Sequence, residues 1–149
     1  MAYLIDTSVL ARLANVDDLY YPAAFRAVTE LHRRGEVLHI APQNLVEFRS
    51  VATRPAAVNG LGLTSEKATE KASIFEVAFP LLNDSPAIHP AWKALVEALG
   101  VIGKQVHDAR LVAVCNVHGI SHLLTFNAGH FTRLAAFSPG ITVVDPASV

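Results

Sequence analysis

A chain of 149 residues and 16.0 kDa has the size of one domain, 1–149, and can bury about two thirds of its unfolded surface around a core. Hydrophobic residues at 52% and charged ones at 17% exclude a disordered chain and favour elements buried on both faces. A formal charge of -1 excludes a global basic field, so any site for a polyanion must be local.

Residues 3–5 predict a short buried strand, and 7–14 a short helix with Leu10, Leu13 and Ala14 facing inward at helical spacing. Asp17 or Asp18 is placed to cap a helix over 20–34 that stops at Gly35. A strand over 37–41 comes next, and Pro42 then starts a helix through about Thr53. Arg54-Pro55 ends it, because the residue before proline avoids the helical region. Residues 56–64, with Gly60 and Gly62, predict a loop, and 65–79 a helix capped by Ser65 and broken by Pro80. A turn over 86–90 leads to a helix over 91–99 that carries Trp92, Leu95, Val96 and Leu99 on one stripe. Gly100 and Gly103 loosen the chain before a helix that Asp108 opens and Gly119 ends. A strand over 122–125, a helix over 129–136 and a strand over 141–144 complete the pattern. Strands separated by helices imply right-handed crossovers and an α/β protein with a mainly parallel sheet.

Residues 1–5 have no basic start and no long apolar run, and Asp6 interrupts the stretch 1–10, so no signal peptide is expected. No run of about 18 uncharged apolar residues predicts a membrane span. Cys115 is the one cysteine, on an apolar helix stripe, and reads as a buried thiol. A soluble protein of the reducing cytoplasm, with no membrane contact, is the expectation.

Three carboxylates stand out. Asp6 ends the first strand in YLIDTSVLARL, Glu47 lies one turn into the helix of APQNLVEFRSVATRP, and Asp108 lies in VHDARLVAVCNVHG. In an open parallel sheet the functional crevice lies beyond the carboxyl ends of the strands, and the pattern puts all three near that edge. Carboxylates that meet there repel by roughly 3 kcal/mol per pair at about 5 Å and an effective dielectric near 20, which a divalent cation would offset. Each also has a plainer reading: Asp6 and Asp108 as helix N-caps, Glu47 as a solvated side chain. Ser8, Thr125 and Asn127 suit the orientation of carboxylates and waters, or serve simply as turn residues. His118 and His122 are split by Gly119 and lack a third partner, which argues against zinc. All-oxygen ligands fit magnesium or manganese and hydrolysis of a phosphodiester by a metal-activated water.

The blocks LIDTSVLARL, NLVEFRSVATRP, VHDARLVAVCNVHGISHLLTFN and HF, in order over nearly the whole chain, resemble the PIN-domain family. The resemblance is to its VapC-like ribonuclease toxins of type II toxin-antitoxin pairs. It implies a three-layer α/β/α fold in which Asp6, Glu47 and Asp108 bind Mg2+ or Mn2+ and direct a water at RNA. It also implies a cognate antitoxin laid over the helices at 20–34 and 42–53, and a homodimer. Many PIN domains carry a further aspartate where this chain has Asn127, which bears on a second metal ion. That asparagine also motivates an alternative, a PIN-like module that binds RNA or protein without cleaving. Arg12, Arg49, Arg54, Lys104 and Arg110 border the expected crevice. Arg49 and Arg110, each two residues beyond a carboxylate, are the expected phosphate contacts.

Overall fold

The structure is a computed structural model and describes residues 1–137 and 140–149. Its centre is a four-stranded parallel sheet of β1 (Ala2–Ile5), β2 (Val37–His39), β3 (His122–Leu124) and β4 (Thr142–Val144), in the order β2-β1-β3-β4. Tyr3 pairs with Leu38 on one side and His122 on the other, so β1 is internal, and Leu123 pairs with Val143. The chain leaves β1 toward β2 and then crosses back over to β3. The order therefore reverses between β1 and β3, and that switch point is where a parallel sheet opens a crevice.

Helices cover both faces. α1 (Thr7–Leu13), α2 (Tyr21–Arg33), α3 (Pro42–Thr53) and α4 (Ser65–Ala78) share a core with Tyr3, Ile5 and Leu124. α5 (Ile88–Leu99), α6 (Gln105–His118) and α7 (Ala128–Phe137) pack against Leu4 and Leu123. Adjacent strand residues point to opposite faces, so Leu4 and Ile5 seed different cores, and the result is the expected three-layer α/β/α arrangement. The two central strands, β1 and β3, are buried on both faces, in keeping with the low charged content, whereas β2 and β4 form the more exposed edges.

Several element ends differ from the sequence reading, each for a local reason. The second strand stops at His39, and Ile40 makes a single bridge to Leu81 before Ala41 turns into α3. Thr64, not Ser65, caps α4: its hydroxyl accepts the Lys67 N–H at 3.2 Å. Asp18 receives the Tyr20 N–H at 2.8 Å, although the residue flanking α2 is Tyr20. α5 begins at Ile88, with Pro90 inside its first turn, where a missing N–H costs nothing. α6 begins at Gln105, three residues before Asp108. No helix among the described residues is long and apolar enough to cross a membrane. Cys115 is fully buried, and burial pushes its thiol up to about 12, so it is inert at neutral pH.

Candidate active site at the strand switch point

Asp6 is the residue just after β1, and its backbone N–H bonds the Leu124 carbonyl at 2.9 Å, so β3 fixes its position. It flanks α1, but its side chain makes no capping bond. Instead Oδ2 accepts two hydroxyls, Ser8 Oγ at 2.7 Å and Thr125 Oγ1 at 2.7 Å. Those hydroxyls are themselves held: Ser8 Oγ accepts the Phe126 N–H at 3.2 Å, and Thr125 Oγ1 accepts the Asn127 N–H at 2.9 Å. Asp6 is only 5% exposed, and among the described residues no hydrogen bond reaches its Oδ1. Short charge-assisted bonds on one oxygen fix the carboxylate and leave the other for a ligand.

Thr125→Val should remove one of these bonds and the acceptor of the Asn127 N–H while keeping the shape. We expect a loss of about 2 kcal/mol in the free energy of unfolding, as for a hydrogen bond to a buried charge, readable in a urea titration. An unchanged midpoint would mean that the hydroxyl does not hold Asp6.

Glu47 reaches the same place from α3. The buried Asn44 sets that helix: its Oδ1 accepts the Ala41 N–H at 2.8 Å, and its Nδ2 donates to Thr7 Oγ1 at 3.3 Å, joining α3 to α1. Phe48 and Ala52 are fully buried on the inner face, so Glu47 stands at its border, half-buried. Gln43, one turn earlier, donates Nε2 to Glu47 Oε1 at 3.0 Å and to the His107 carbonyl at 2.8 Å. Its Oε1 accepts Arg110 Nη1 at 3.1 Å. One amide thus ties Glu47 to the first turn of α6, which carries Asp108.

Asp108 lies one turn into α6, too far along to cap it. Its side chain is 22% exposed, and Oδ2 is 4.0 Å from Nδ1 of His130 on α7. Burial, then the neighbouring Asp6 charge, raise its carboxyl to about 6 against partial relief from His130 and His107. Glu47 is pushed up to about 7, first by burial and then by Asp6 and Asp108, with the Gln43 bond acting the other way. Three carboxylates from distant segments therefore feel one another.

All three line one cavity of about 870 Å³, with Arg12, Arg54 and Lys104 also on its wall. Asn127 and His130 line it as well. Among the described residues, no three Asp, Glu, His or Cys side chains stand close enough, as placed, to share one ion. The donor set nonetheless suits a hard divalent cation: it is all oxygen, Asp6 keeps one oxygen without a hydrogen bond among the described residues, and Asp6 adds to the raising of both Asp108 and Glu47.

The two arginines expected to meet phosphate lie elsewhere. Arg49 is exposed and donates Nη1 to Thr69 Oγ1 at 3.1 Å, and Arg110 is engaged by Gln43 and by Asp84 at 3.2 Å. Neither lines the cavity. His118 and His122 also turn to separate partners, the Asn83 carbonyl and Ser121 Oγ.

A model of the PIN domain matches residues 3–136. The chain belongs to the PIN-domain family. No curated protein matches the sequence significantly. Among solved structures, this PIN domain is similar to VapBC2 from Rickettsia felis, bound to a DNA fragment from their promoter. The TM-score is 0.69 at 17% identity, covering 97% of this chain and 98% of that one. It is similar also to VapC20 of Mycobacterium tuberculosis, described as a Sarcin-Ricin loop cleaving toxin, with TM-score 0.65 at 20% identity over 91% and 95% of the two chains. VapBC-1 of nontypeable Haemophilus influenzae gives 0.67 at 14% identity over 98% of each. At such identities the likeness is one of fold.

Proposed function

We propose that this PIN domain is a metal-dependent endoribonuclease of the VapC toxin type, restrained by a cognate antitoxin. The observation that supports it best is the meeting of Asp6, Glu47 and Asp108 on one cavity at the switch point, with the last two raised by burial and by neighbouring carboxylates. Asp6, Glu47 and Asp108 would hold magnesium or manganese. The chemistry that such an ion supplies when bound is an acidified water and positive charge at the phosphoryl oxygens. Asp6 is the fixed member, held by Ser8 and Thr125, whereas Glu47 is steered by the single Gln43 amide. Arg12, Arg54 and Lys104 offset the charge of an RNA backbone that enters the cavity. The restraint by an antitoxin fits the apolar side chains left exposed here, Leu19 just before α2, Phe25 on α2 and Val46 on α3.

Incubation of the purified chain with RNA separates this reading from a module that binds without cleaving. Cleavage should require magnesium or manganese and stop on addition of EDTA. RNA binding without turnover in either metal would favour the binding module, and turnover that survives EDTA would exclude the metal site.

A further inference from the structure

Asp6, Glu47 and Asp108, with Asp18 as a fourth carboxylate on the cavity wall, repel RNA, so a ribonuclease built this way needs a fixed cation close to them. The three cations on the wall differ in how they are held. Arg54 and Lys104 are exposed, the former donating to Ser50 Oγ at 3.3 Å. Arg12 is built in: its guanidinium carbon lies 5.7 Å from the centre of the Tyr20 ring and 5.5 Å from that of Phe126. The two rings are 5.6 Å apart and tilted, so both contact the same cation. Phe126 is next to Thr125, and its N–H bonds the Ser8 hydroxyl that holds Asp6. The ring clamp and the Asp6 clamp are thus one piece of backbone.

The hydrogen-bonding capacity of Arg12 is nevertheless little used. Its one hydrogen bond among the described residues runs from Nη1 to the Ser8 carbonyl at 3.4 Å, which is long. Nε is buried with no hydrogen-bond partner, and the nearest carboxylate oxygen, Asp18 Oδ1, is 3.9 Å from it. A guanidinium has five donors in a rigid fork, and burying them unpaired is costly. Its side chain keeps 31% of its surface exposed while lining the cavity that holds the carboxylates. A positioned, under-bonded planar cation beside a phosphodiester site is the chemistry that grips a phosphate.

We propose that Arg12, held against the contacting rings of Tyr20 and Phe126, anchors a backbone phosphate of single-stranded RNA beside the scissile one. The proposal rests on the ribonuclease reading and adds to it a residue that positions substrate without touching the carboxylates' ligands. Tyr20, half exposed, keeps the guanidinium at the wall rather than free to swing into solvent.

Binding of a fluorescently labelled single-stranded RNA in EDTA, followed by anisotropy across a salt titration, tests the anchor without any metal. Arg12→Met should lower affinity about tenfold at low salt and reduce the log–log salt slope by about 0.7, the loss of one phosphate contact on a single strand. Arg12→Lys, which keeps the charge and guards against a folding defect, should preserve the slope and lose part of the affinity. Arg49→Met, whose guanidinium bonds Thr69 away from the cavity, should bind as wild type. A slope unchanged in Arg12→Met, or an equal fall in Arg49→Met, would overturn the anchor. If Arg12→Met weakened a protein partner while the RNA slope stayed the same, the anchor would give way to a protein contact. Unchanged slopes with intact metal-dependent cleavage would sink the anchor alone, and a wild-type chain that neither binds nor cuts RNA would sink both readings.

Discussion

Asp6→Asn and Asp108→Asn should each lower metal-dependent RNA cleavage by about 10³-fold or more, because several kcal/mol of transition-state charge stabilisation depend on the ion they help to hold. The fold should survive both. In Asp6→Asn the amide oxygen can still accept the Ser8 and Thr125 hydroxyls at the place of Oδ2, so the junction of β1, α1 and β3 keeps its bonds. Asp108→Asn removes a charge that burial and Asp6 disfavour, so its thermal midpoint should stay level or rise. RNA affinity in EDTA should not fall in either variant, since a negative charge has left the cavity. The measurement is a set of initial rates in magnesium beside circular dichroism melts. Wild-type rates in both variants would rule out the carboxylate site, and lost rates with collapsed melts would mean a structural role instead.

The layers and the crevice were readable because they come from patterns that survive tertiary packing. Alternation of short apolar strands with helices set a parallel sheet, and Pro42 and Pro55 set both ends of α3, which is why Glu47 could be placed. The gathering of Asp6, Glu47 and Asp108 came from strand ends and early helix turns. Errors arose where the partner lies far away in sequence. Asp6 has the form of a cap, and the hydroxyls of Ser8 and of Thr125, the latter 119 residues away, occupy its Oδ2 instead. Arg49 and Arg110 miss the cavity wall for a helical reason: two residues at 100° each carry a side chain about 200° round, so Arg49 meets Thr69 and Arg110 reaches only Gln43 and Asp84. The same geometry could have found Gln43, four residues before Glu47 and on its face. Its second bond, to the His107 carbonyl, could not be inferred, because it depends on how α6 packs against α3. Gly103, with φ of 63°, releases the chain early enough for Lys104 to flank α6, so Asp108 falls a turn inside it.

The apo protein should become less stable as pH rises from about 5 to about 8, and a divalent cation should reverse that trend. Glu47 and Asp108 have folded values of about 7 and about 6, above their ordinary 4.5 and 3.8. In that window the folded chain binds more protons than the unfolded one, so the slope of unfolding free energy against pH is negative. The contribution is complete below the ordinary carboxylate range and is lost as pH passes through 6 and 7. Both groups are only partly buried, so solvent screening reduces the combined effect to on the order of 1 to 2 kcal/mol. Glu30, held down to about 2 by Arg33 and Arg34, has the opposite sign but is already settled below this window. Cation binding requires the deprotonated carboxylates, so its stabilisation must grow with pH. At about 100 times its dissociation constant the ion adds about 2.7 kcal/mol, or about 5–10 °C of melting temperature for a chain of this size. Melts in EDTA and in manganese at three pH values give the comparison, with Asp108→Asn as the variant in which both the negative apo slope and the metal shift shrink. An apo midpoint that climbs toward about pH 8 would show that the two acids are not raised in the fold, and a manganese shift of equal size at every pH would show that they do not bind the ion.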